Sequence, residues 1–146
     1  MGRDDFDAVM FALGSAVYAA QAFELNLGTT LIALTMAKGD RSKFPDEEAV
    51  RTWLDEVASL TIGRLKGKLK ALNLLPDQMV EDIGEINRMR IEVVHHFSNR
   101  WTELIEEANG YQTAIGELNA YEAVFWASAK KLHAGIESLD EMKLLN

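Results

Sequence analysis

The chain contains no cysteine, which removes disulfides, thiol nucleophiles and cysteine-ligated zinc together. Its 2 prolines, Pro45 and Pro76, both stand where a helix would begin rather than inside one. Long uninterrupted apolar runs are missing. Charges, glycine or asparagine break every stretch short of the ~18 residues of a membrane span, so no membrane partner is expected. The N-terminal "MGRDDFDAV" has acids where a secretion signal has a basic start, and Asp5 and Phe6 do not continue a myristoylation motif. Basic charge is scarce: 15 Lys and Arg against 23 Asp and Glu leave a net charge of −8. A field of that sign repels phosphate, so any RNA contact must come from a local basic pocket. Repeats, low-complexity tracts and Ser/Pro-rich linkers are absent too, so residues 1–146 read as one cytoplasmic domain.

The pattern that remains is helical. With 48% hydrophobic and 26% charged residues in a chain of 146, there is enough apolar material for a core. The spacing predicts an all-α, antiparallel up-and-down helical bundle of about five helices. The first covers about Asp4 to Lys38, with an expected seam of Phe6, Met10, Leu13, Val17, Ala20, Glu24, Leu27, Leu31 and Leu34. Gly39 is its expected C-cap. A second helix opens at Pro45-Asp46 and turns Val50, Trp53, Leu54 and Val57 inward. A third starts near Thr61 and buries Ile62, Leu65, Leu69 and Leu72. Pro76-Asp77 opens the fourth. "WTELIEEANG" reads as a short helix ending at Asn109-Gly110. The last runs from about Thr113 into the early 140s, with Ile115, Leu118, Tyr121, Phe125, Leu132 and Ile136 at core spacing.

The fourth helix carries the anomaly. Ile83, Ile86, Arg90, Val93, Val94 and Phe97 share one stripe, so an arginine sits among core residues. An unpaired charge there costs several kcal/mol, and Glu24 is the matching misfit on the first helix. The two are expected to pair, whether as a register-fixing ion pair alone or as part of a site. His95 and His96 come next. Adjacent helical residues point about 100° apart, so they cannot share a metal. Arg88, Glu92 and His95 share a polar face, and an arginine beside an imidazole suits phosphodiester chemistry: one neutralises developing charge, the other moves a proton near neutral pH. A polar helix end, with imidazolium favoured by the dipole, is the plainer reading of the two histidines.

Metal chemistry fits poorly. Glu92-x-x-His95 has the spacing of carboxylate-bridged di-iron bundles, but a second such pair is needed. The remaining histidine is His133, and Lys130 stands three before it. No metal or other cofactor is expected. No phosphate loop or nucleophile elbow is present either. The run Arg64, Lys66, Lys68, Lys70 flanks an apolar stripe as lysines bordering a core do. Trp53, Trp101 and Trp126 read as core or interface residues rather than base-stacking platforms.

"RIEVVHHF", Arg90 to Phe97, resembles the signature of the HEPN superfamily, small all-α domains with an Arg-x(4–6)-His motif on a late helix. "AAQAFELNLGTTLIAL" resembles the first helix of such proteins, with an acid at the position of Glu24. "LTIGRLKGKL" is similar to a Thr-Leu-Gly-x-Leu segment that precedes the motif helix in one bacterial branch. The resemblance spans much of residues 15 to 100. It implies a homodimer with a composite site that cleaves RNA without metal, and, for a toxin or defence protein, a cognate antitoxin. On this reading His95 handles the proton and Arg90 the phosphate charge, leaving a 2′,3′-cyclic phosphate. Arg88 and His96 satisfy the looser motif spacing, and Asn87, Glu92 and Glu24 are candidate supporting residues. On an ideal helix Arg90 and His95 lie about 140° apart, so they converge only through arginine's reach, a distorted turn or a partner chain. Two positions depart from the family pattern: Ile91 replaces the polar residue that commonly comes after the motif arginine, and Phe97 stands where some toxins carry a modifiable tyrosine. Both also suit the alternative, a non-catalytic dimeric regulatory module with a structural Glu24–Arg90 pair.

Overall fold

The computed structural model describes residues 2–39 and 41–144, with side-chain surroundings described for all of these but 41, 58, 136 and 138–144. The expected core role of Ile136 therefore lies outside the described residues. Among the described residues the chain is all-α: α1 Arg3–Ala37, α2 Glu47–Ala58, α3 Ile62–Leu72, α4 Asp77–Ile91, α5 Phe97–Leu104 and α6 Gly110–Leu144, with a single 3-10 turn at Arg41–Lys43. A π-helical turn, Glu92–His96, joins α4 to α5 without a break, so those three segments form one rod and the bundle has five.

Local chemistry sets the boundaries. Asp46 accepts from the Ala49 N–H at 2.8 Å and Thr61 from the Arg64 N–H at 3.3 Å, side-chain caps for donors that have no partner within the helix. After α1, Gly39 takes φ +93 and donates its N–H to the Met36 carbonyl at 3.0 Å, a conformation that costs glycine little. The "WTELIEEANG" helix is corrected. Its first turn is the end of the α5 rod, and a tight connection then leads straight into α6 at Gly110. A side chain at Gly110 would strike the Leu104 carbonyl, so this position requires glycine.

The core lies between α1 and α6, each 35 residues and so about 52 Å long, with α2, α3 and the α4–α5 rod packed around them. Its largest fully buried side chains include Phe23, Phe125, Leu27, Ile62, Leu65, Leu69, Leu104 and Leu118. The inward face of α1 differs from the expected seam. Val9, Ala12, Ala16, Ala19, Ala20, Phe23 and Leu27 are buried, whereas Phe6 is exposed and Met10, Leu13 and Val17 sit at the flank. Periodicity could not choose the face because Glu24 is the one charged residue from Ala8 to Ala37. The expectation that no stretch reaches membrane-span length is corrected for the same reason. An 18-residue window of α1 has mean hydropathy 1.4, so α1 is long and apolar enough to cross a bilayer by length and composition. In the bundle it serves as the central helix.

Candidate functional site

The arginine in the apolar stripe meets the expected carboxylate. Arg90 Nε lies 2.5 Å from Glu24 Oε1, bridging α4 to α1, and each side chain is 22% exposed. Burial raises the Glu24 carboxyl above its ordinary value, and the nearby Arg90 charge opposes that rise. Withdrawal from water thus outweighs the attraction of the guanidinium at this site.

The π turn re-aims the residues beyond Arg90. A turn closed by i→i+5 hydrogen bonds accommodates one more residue than an α turn. Everything past it is rotated back by roughly one residue's worth, about 100°. His95 lies inside the turn rather than past it, so Arg90 and His95, about 140° apart on an ideal helix, are drawn together by only part of that rotation. Arg88, which an ideal helix aligns with His95, is carried away from it by the same part of the rotation. Val94, expected in the core stripe, is exposed, while Val93 is fully buried. His96 closes the turn with φ −115, ψ −4, in the sparsely populated bridge region where many active-site residues sit. His95 and His96 are both exposed.

Arg88 points elsewhere. It is exposed and ion-paired with Glu85 one turn before it. With Asn87, Lys66, Gly63 and Gly84 it lines a cleft of about 640 Å³ between α3 and α4, shared with Glu81, Asp82 and Glu85. Lys66 crosses directly over Gly84 there. Three acids against two bases make this cleft a poor phosphate seat. Glu92 belongs to a different space, of about 350 Å³, which it lines with Val93, Phe97, Arg100, Glu117, Leu118 and Tyr121. Glu24 also borders a smaller cleft, of about 280 Å³, with Leu25, Leu54 and Val57. Arg90, His95 and His96 line none of these three.

An Arg100 network, which sequence reasoning missed, secures the far end of the rod. Arg100 Nη2 donates to Glu117 Oε1 at 2.7 Å and Nε to Glu117 Oε2 at 3.2 Å, clamping α5 onto α6, while Nη1 donates to Glu103 at 3.1 Å. Those hydrogen bonds, the Glu117 one foremost, push the Arg100 pKa upward. Tyr121, beneath the π turn, is raised above its ordinary 10.0 by burial first and then by the Glu92 and Glu117 charges. The clamp fixes the rod on the far side of the π turn as the Glu24–Arg90 pair fixes it on the near side. Among the described residues no cluster of three or more His, Asp or Glu side chains could hold a metal ion.

Neither protein-family models, curated proteins nor solved structures gave a match to this chain.

Proposed function

We propose that the chain is a HEPN-type, metal-independent endoribonuclease of the cytoplasm that acts as a homodimer. The observation that carries the reading is the π turn at Glu92–His96: a distorted turn falls in the segment where a plain helix would hold Arg90 and His95 about 140° apart, and it narrows that angle. In the proposed reaction a His95 imidazole takes the proton from a ribose 2′-hydroxyl, and the 2′-oxygen attacks its own phosphorus. The bond from phosphorus to the 5′-oxygen breaks, and that oxygen takes a proton from the second copy's imidazole. Arg90 neutralises charge on the phosphorane, and the products are a 2′,3′-cyclic phosphate and a 5′-hydroxyl. Neither residue lines the clefts described above, and in this reading the site is completed where two motif helices meet. With a net charge of −8, RNA binding depends on a local cationic site, and a toxin role would bring an antitoxin that covers it.

A second reading rests on the Glu24–Arg90 ion pair. An arginine already satisfied by a carboxylate at 2.5 Å is what a non-catalytic dimeric regulatory module would use to fix register. Ile91 after the arginine suits that reading as well.

Incubating purified protein with single-stranded and structured RNA in excess EDTA, beside His95→Ala, tests the choice. His95 is exposed, so its substitution leaves the fold intact by circular dichroism. Cleavage abolished in that variant supports the nuclease. Equal behaviour of the two proteins supports the regulatory module.

A further inference from the structure

The outer face of α1 has the composition of an interface. Ala8, Phe11, Ser15, Tyr18, Ala22, Leu25 and Thr29 recur at alternating three- and four-residue spacing on the side turned away from the core, and all are exposed or half-exposed. Phe11 is 79% exposed, Tyr18 65% and Leu25 62%. The Thr29 hydroxyl donates to the Leu25 carbonyl at 3.0 Å, so the stripe presents no free donor there. Trp126 of α6, itself 36% exposed, packs beside Tyr18 with ring centroids 5.9 Å apart and widens the patch. An ordinary surface helix puts charges on this side. Here none occurs between Asp7 and Lys38 except Glu24, which is engaged with Arg90.

We infer that this face docks against the same face of a second copy, with the two α1 helices antiparallel across a two-fold axis at the level of Ala20. Three observations select that occupant. The large residues, Phe11, Tyr18 and Leu25, alternate with the small ones, Ala8, Ser15, Ala22 and Thr29. A two-fold at Ala20 therefore sets Tyr18 opposite Ala22, Leu25 opposite Ser15 and Phe11 opposite Thr29, large against small throughout, as close helix packing requires. The same placement keeps Asp4 and Asp7 beyond the end of the partner's stripe. The second observation is area. The four large side chains expose roughly 500 Å² per chain, given the 150–250 Å² that an aromatic offers. Two copies bury about 1,000 Å² of it, the size at which specific association begins. Charge is the third. Each copy carries −8, and the uncharged α1 face is where two such molecules approach with least repulsion. The stripe has no lysine or arginine with which to bind a nucleic acid or an anionic lipid surface.

This contact uses no residue between Arg88 and His96, so it is separate from the motif-helix contact proposed above and stands whether or not the motif cleaves RNA; a chain that makes both contacts assembles beyond a dimer. With no native cysteine, single thiols can map it in the full-length protein. Ser15→Cys mixed with Leu25→Cys should form a disulfide-linked heterodimer on mild oxidation, at least tenfold faster than either variant alone. Tyr18→Glu, placed at an exposed position and folded by circular dichroism, should halve the mass of the wild-type assembly in light scattering. Self-linking of Ser15→Cys as fast as the mixture would mean a parallel contact and overturn the proposal. So would a mass unchanged by Tyr18→Glu, or co-sedimentation of the wild type with neutral phosphatidylcholine vesicles that Tyr18→Glu abolishes, which would make lipid the occupant.

Discussion

Glu24 Oε1 and Arg90 Nε meet at 2.5 Å across the α1–α4 contact, each side chain 22% exposed. The pair is nearly buried yet not sealed, and removing one partner strands the other. Arg90→Ala should cost about 2–3 kcal/mol, somewhat less than breaking a fully buried pair because residual solvent screens the orphaned carboxylate. The double variant Glu24→Leu/Arg90→Met should recover most of that loss. Urea denaturation of Glu24→Leu, Arg90→Met and the double variant gives the coupling directly. Strictly additive losses would show that the contact does not stabilise the fold.

The Glu24 carboxyl also gives stability a pH dependence of definite sign. Burial raises its pKa in the folded chain above the ordinary 4.5, so the folded state holds that proton more tightly than the unfolded state. Glu24's contribution is greatest below pH 4.5 and declines as pH rises through the raised value. Glu24→Gln removes this slope. Melting temperatures of wild type minus variant, followed upward from about pH 4, should therefore fall as pH passes through the raised value and level off above it. A difference that rises with pH would mean that the Arg90 attraction outweighs burial.

These two residues were legible in the sequence because each breaks the pattern of its own helix, a glutamate among the apolar residues of α1 and an arginine in the stripe of α4. The π turn was not. Sequence periodicity assumes 3.6 residues per turn, and nothing in "EVVHH" marks the extra residue except the Val93-Val94 pair competing for one core position. Arg100 and Glu117 escaped notice because both sit on polar faces where charges are routine. The one hint was that Phe97, Trp101 and Leu104 continue the stripe of α4 without a break, which argued for one rod rather than two helices. The inward face of α1 failed for the opposite reason: too many faces were apolar for spacing to choose.

The Arg100–Glu117 clamp and Tyr121 make a second electrostatic test. Tyr121 titrates above its ordinary 10.0 because it is buried and faces Glu92 and Glu117, with Arg100 opposing. Glu92→Gln should lower that pKa and Arg100→Met should raise it further, both read from phenolate absorbance after subtracting a Tyr121→Phe control. A shift in the reverse order would place the charges wrongly around the phenol.

Packing of α2 on α1 depends on Gly28. A Cβ there would run into the Val57 side chain, a stiff β-branched residue that cannot swing aside. Gly28→Ala should cost about 1–3 kcal/mol by overpacking. Val57→Ala in the same chain should return a good part of it. Thermal melts of the pair decide this, and a Gly28→Ala variant as stable as wild type would show that α2 moves away freely.

Above all, the proposed nuclease requires that a ribose 2′-hydroxyl be the attacking group. Two oligonucleotides of one sequence, one all-ribose and one 2′-O-methyl throughout, compared in excess EDTA with product ends mapped by mass, put that requirement to trial. The ribose strand should be cut to fragments ending in 2′,3′-cyclic phosphate, and the 2′-O-methyl strand should stay whole. Cleavage of both strands, or a ribose strand left intact across a panel of sequences, would contradict it.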